Sequence, residues 1–132
     1  MTKHQINLLL LALVACCFAV SGCRQPDTEG HARVRTKNVL ISVCKLVELG
    51  ESITNEPPPT TLPSLVTWLW KYVSKDEPYI NYREKTIKDA WGSVIVIVSQ
   101  NGKFIGVGSP GPNRTWQDGA GDDILVKLDD VK

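Results

Sequence analysis

The chain has 132 residues, 42% of them hydrophobic and 22% charged, with a formal net charge of +1. That is the length of one domain and the composition of an ordinary globular chain. No internal repeat and no block of like charge is present, which excludes a basic nucleic-acid footprint and an acidic tail.

Residues 1–22 stand apart. A single cation, Lys3, precedes the uncharged run LLLLALVACCFAV and then small residues up to Cys23. A short positive region, an apolar core and small residues before a cut site describe an export signal. The stretch Val20-Ser21-Gly22-Cys23 resembles the lipobox of bacterial lipoproteins, which implies cleavage before Cys23 and a diacylglyceryl thioether on it. Leu13-Val14-Ala15-Cys16 fits loosely, but cleavage there would shorten the apolar core. The competing reading is an uncleaved anchor, because Ile6 to Gly22 is close to the lower limit of ~17–25 residues for a membrane span. Cleavage removes Lys3 from the 15 basic residues and none of the 14 acids, so the mature charges balance. Of the 4 cysteines, only the lipidated Cys23 and Cys44 then remain, so no intrachain disulfide is available and Cys44 reads as a small buried hydrophobe.

Residues 23–33 are polar, contain Pro26 and Gly30, and read as a tether with a solvated His31. The globular domain is assigned to residues 34–132. Its first helix is predicted over Val34 to Glu51, with Val39, Val43, Leu46, Val47 and Gly50 on one face. Leu40, Cys44 and Leu49 widen that face, and Gly50 is placed near the C-terminal cap. Three consecutive prolines, Pro57 to Pro59, forbid helix next. A second helix is expected from Leu62 to Lys75, capped by Thr60 or Thr61, with Pro63 in its first turn. Leu62, Leu65, Val66, Leu69, Tyr72 and Val73 form its apolar face, flanked by Trp68 and Trp70.

Glu77 to Lys88 reads as irregular and Asp89-Ala90-Trp91-Gly92 as a turn, with Trp91 buried. Val94 to Val98 is a β-branched strand, apolar on both faces and therefore read as central. Gln100-Asn101-Gly102 signals a hairpin, and Lys103 to Gly108 returns as a second strand. A long glycine- and aspartate-rich loop follows, and Ile124 to Leu128 makes a third strand. The fold class is therefore α+β: a long helix and a short helix on a three-stranded antiparallel sheet.

In that order, Pro59-Thr60-Thr61 before a helix, Asp89-Ala90-Trp91-Gly92 before a hairpin, and Gly108-Ser109 opening a loop that closes on Asp123-Ile124 resemble the globular domain of the major, G-type pseudopilin of type II secretion systems. The resemblance covers about residues 34 to 128. It departs from the family at the N-terminus. There is no prepilin-peptidase site, no glutamate in the apolar segment, and Pro26 and Gly30 interrupt the segment before the helix. The resemblance thus implies a pseudopilin-like domain whose polymerising helix is replaced by a lipid, which argues against a standard filament subunit.

In that family the loop before the last strand binds calcium. Calcium takes six to eight oxygens from carboxylates, carbonyls and water, and glycines let carbonyls converge. The candidate ligands here are Asp118, Asp122 and Asp123, with Ser109 and Asn113 as further oxygens. The spacing is not that of an EF-hand, and glycine–aspartate clusters are also ordinary turns. Trp116 is read as folding back on the sheet.

Catalysis finds no support in the motifs. A single tethered histidine builds no Ser-His-Asp or Cys-His set, and CxxC, HExxH and a phosphate-binding glycine loop are absent from the sequence. The expectation is a non-enzymatic, membrane-tethered module of the bacterial cell envelope, periplasm-facing or surface-exposed, with secretion-system or other envelope proteins as partners. The alternative is an envelope lipoprotein that holds a sugar or peptide on Trp68, Trp70 or Trp116.

Overall fold

A computed structural model describes residues 28–73 and 77–132. The expected signal segment, Cys23, Pro26 and the expected end of the second helix at Lys75 lie outside the described residues.

Helix α1 spans Glu29–Thr54. It starts five residues before the predicted Val34 and takes residues 29–33, Gly30 included, from the expected tether. The reason is packing: Ala32 and Thr36 are buried and carry the stripe of Leu40, Val43, Cys44 and Val47 back toward the N-terminus. Gly30 is tolerated because first-turn N–H groups have no intrahelical partner to lose. Leu49 is not on the buried stripe; it is exposed, as are Val34 and Ile53. Nor does Gly50 cap the helix. Asn55 does, in the left-handed region at φ 58°, donating its N–H to the Glu51 carbonyl. Gly50 is instead the place where Trp68 lies against α1, and a Cβ there would collide with the indole.

Helix α2 spans Leu62–Tyr72. Thr61 is its extended N-cap residue; its carbonyl accepts from Leu65 N–H, and its side chain makes no capping bond. Pro63 occupies the first turn as expected. Leu65, Val66, Trp68 and Leu69 are buried, and Leu62, Tyr72 and Val73 pack at the margin.

The stretch after α2 is not wholly irregular. Strands β1 (Ile80–Asn81) and β2 (Thr86–Ile87) pair antiparallel, and Ile80 and Ile87 drive into the core. Two-residue strands leave no periodicity for a sequence to show.

The main sheet has the antiparallel order β3 (Val96–Gln100), β4 (Lys103–Ser109), β5 (Ile124–Lys127). Asn101 and Gly102 turn the hairpin with φ of 51° and 72°, the geometry of a tight two-residue turn. The Val94 to Val98 run is therefore not central: β3 is an edge strand and β4 is the middle one. Ile95 and Ile97 face the core, whereas Val94 is exposed and Val96 and Val98 are half-buried. Their β-branching serves strand propensity rather than a second covered face.

Helix α1 lies across β4 and β5, and α2 packs on α1 and β2. The core between them joins Leu40, Val43, Cys44 and Val47 to Leu65, Leu69, Val107 and Val126. Trp91 packs at the core's rim and is half-buried rather than buried, because its turn is itself at the surface.

Candidate functional site

The loop between β4 and β5 is closed by its own last residue. Asp123 Oδ2 accepts hydrogen bonds from the N–H groups of Gln117 (2.6 Å) and Gly119 (3.0 Å). This is a carboxylate tying down the turn that precedes it. Asn113 bonds forward instead, as an Asx turn, its Oδ1 accepting from Thr115 N–H at 2.8 Å and its Nδ2 donating to Gln117 Oε1 at 3.1 Å. Gly111, at φ 68°, presses on the Asp122 backbone and brings the two ends of the loop together. Trp116 folds back as expected and lies on Gly108 of β4, where any Cβ would meet its ring.

The five residues proposed as calcium ligands meet different fates. Ser109 is withdrawn from the loop: it is fully buried, its Oγ donates to Asp89 Oδ2 at 2.6 Å and accepts from Gly111 N–H at 3.0 Å. The oxygen of Asn113 accepts from Thr115 N–H, which leaves it one lone pair. Asp118 is exposed, and Asp122 and Asp123 are half-buried. Among the described residues, no group of three His, Cys, Asp or Glu is gathered that could hold a metal ion. Asp123 Oδ1 is buried and has no donor.

A polar hub beneath this loop is not apparent from the sequence. Asp89 is 7% exposed, and its Oδ1 accepts from the N–H groups of Trp91 (3.0 Å) and Ser93 (2.8 Å) while Oδ2 accepts from Ser109. Next to it, Thr36 on α1 accepts from Ala90 N–H at 3.0 Å. One turn therefore fastens α1, β4 and the approach to β3. An aspartate opening a turn is a readable signal; its bond to a residue 20 positions away, and that of the neighbouring Ala90 to one 54 positions away, are not.

Of the three tryptophans considered as a platform, Trp68 is buried, Trp116 is laid on Gly108, and Trp70 alone stays largely exposed. Cys44 is fully buried, and burial pushes its thiol up to about 11. The Sγ donates to the Val126 carbonyl at 3.6 Å, so the residue behaves as core material. Among the described residues, no helix is long and apolar enough to cross a membrane. The chain matches no protein-family model, no curated protein and no solved structure.

Proposed function

We propose that the chain is a non-enzymatic interaction domain, tethered to the bacterial envelope membrane by a lipid on Cys23 and built like the globular part of a G-type pseudopilin. The observation that carries this reading is that its second and third sequence motifs meet in one bond, Ser109 Oγ to Asp89 Oδ2. The Asp89 turn and the Gly108-Ser109 loop opening thus act as one device that fixes the loop to the sheet. A lipid in place of a polymerising helix makes the chain an accessory of a secretion or envelope assembly rather than a standard filament subunit.

Calcium belongs to this reading as a stabiliser of the 110–123 loop. The buried Asp123 Oδ1 without a donor fits a cation; Ser109 does not, since it is fully buried and bonded to Asp89 and Gly111. Asp123 is the carboxylate that would hold the ion; Asp118 and Asp122 are not gathered with it into a ligand set, and the ion would supply charge balance and no chemistry.

Labelling with a radioactive fatty acid, followed by cross-linking in the envelope, tests the proposal. The labelled product should be shorter than the full chain by residues 1–22, Cys23→Ser should carry no label, and cross-links should reach secretion-system subunits. An unlabelled product of full precursor mass would establish an uncleaved anchor instead. Cross-links confined to unrelated envelope proteins would remove the secretion assignment.

A further inference from the structure

Two grooves lie side by side along α2 and share Thr67 and Lys85. The first, of about 410 Å³, runs between α2 and the proline loop, with Pro59 and Pro63 at one end and Lys71 and Tyr72 along it. The second, of about 470 Å³, lies between α2 and the β1–β2 turn and is lined by Val66, Trp70 and Tyr82. Trp70 is 44% exposed, and its ring sits 4.6 Å from that of Tyr82, so an aromatic surface is already assembled there.

The polar lining is one-sided. Lys71, Arg83 and Lys85 face Glu56 as the single acid among the residues lining the two grooves. The whole chain is at +1, so this excess of cations is local. Ammonium and guanidinium groups are donors only. The surface therefore offers hydrogen and positive charge beside apolar rings, and its complement is a chain that brings carboxylates and apolar side chains together.

We propose that this face of α2 is a docking surface for an acidic, extended segment of a partner protein, with apolar side chains set between its acids. The concavity favours a peptide over a lipid surface, since a flat bilayer would meet the rims and leave both grooves unfilled. The inference rests on the reading of the chain as an interaction domain and is independent of how that domain is anchored.

The test uses the full chain in non-ionic detergent against an array of short degenerate peptides, fixed only as acidic, as their amide counterparts, or as basic. Acidic peptides containing leucine or phenylalanine should bind at least about tenfold tighter than the amide versions, and the preference should fade with added salt. Arg83→Glu with Lys85→Glu should lose that preference and turn it toward basic peptides. Trp70→Ala should weaken acidic and amide peptides alike, and Lys103→Glu, in the β3–β4 hairpin, should change nothing. Circular dichroism of each variant confirms that it is folded. No preference for acidic peptides, or an unchanged preference in the double variant, overturns the proposal. So does binding to phosphatidylglycerol vesicles that the double variant loses while no peptide is selected, which would assign the surface to the membrane. Fatty-acid labelling is read separately: an unlabelled chain that selects acidic peptides overturns the anchorage alone.

Discussion

Asp89 anchors its turn to the sheet, because three donors converge on its carboxylate. Asp89→Ala strands the N–H groups of Trp91 and Ser93 and the Ser109 hydroxyl in a largely buried site. Each buried unpaired donor costs about 1–3 kcal/mol; the Ser109 hydroxyl is buried, whereas the two amides are part-buried and regain water, so a loss of about 2–4 kcal/mol in urea unfolding is expected. A loss under about 1 kcal/mol, the level of a surface change, would contradict the hub. Gly50 gives a sharper test at the same scale. Replacing a mid-helix glycine by alanine ordinarily stabilises by ~0.5–1 kcal/mol. Here the methyl collides with Trp68, so Gly50→Ala should destabilise by ~1–3 kcal/mol, the usual cost of overpacking. In a Trp68→Leu background the sign should reverse, a coupling expected only of residues in contact.

The 110–123 loop is an element without regular structure, held by side chains rather than by a ladder. Asp123→Ala frees the amides of Gln117 and Gly119, whose hydrogen exchange should accelerate while the amides of β4 stay protected. Exchange that accelerates equally across the sheet would show that the loop does not open on its own. The same element carries the calcium prediction. An ion bound only by the native state adds RT ln(1 + [L]/Kd), about 2.7 kcal/mol at a hundredfold excess over Kd. The wild-type melting temperature should rise with calcium and fall with chelator, and Asp123→Ala should abolish most of the shift. A melting temperature indifferent to both would leave Asp123 as a loop tie and nothing more. Helix α1 shows how an element's limits depend on its surroundings. Arg33, Arg35 and the polar residues around them conceal an N-terminal extension that only the burial of Ala32 and Thr36 explains.

At the scale of the molecule, α1 closes one side of the sheet and encloses Cys44, which makes the thiol a reporter of global opening. With burial pushing its pKa up to about 11, the thiolate fraction at pH 8 is on the order of one in a thousand, and the sulfur is out of reach of reagent. Ellman's reagent should therefore leave Cys44 unlabelled in the native protein, as read by peptide mapping, and modify it fully in denaturant, at a rate in native buffer set by unfolding. Rapid native labelling would show that α1 lifts locally from the sheet. The same closed architecture leaves the outward side of α2 as the place where the exposed Trp70, set against the half-buried Tyr82, and an excess of cations coincide.

Local rules were enough for much of this. The three prolines before α2, Pro63 in its first turn, the Asn101-Gly102 hairpin and the β-branched runs specify the order of elements, because each acts through neighbours in the chain. The return of Trp116 onto the sheet was also legible, since a large aromatic in a polar loop needs a surface to cover it. What lay beyond the sequence were contacts between residues distant along it. That β4 rather than β3 is central depends on where β5 docks. That Ser109 serves Asp89 and not the loop depends on a turn twenty positions away. Gly50 and Trp68 look like a cap and a flank until α2 crosses α1. Periodicity and turn chemistry are properties of a segment, whereas the burial of a polar atom or the company of a tryptophan is decided by which segments meet, and only the packed chain settles that.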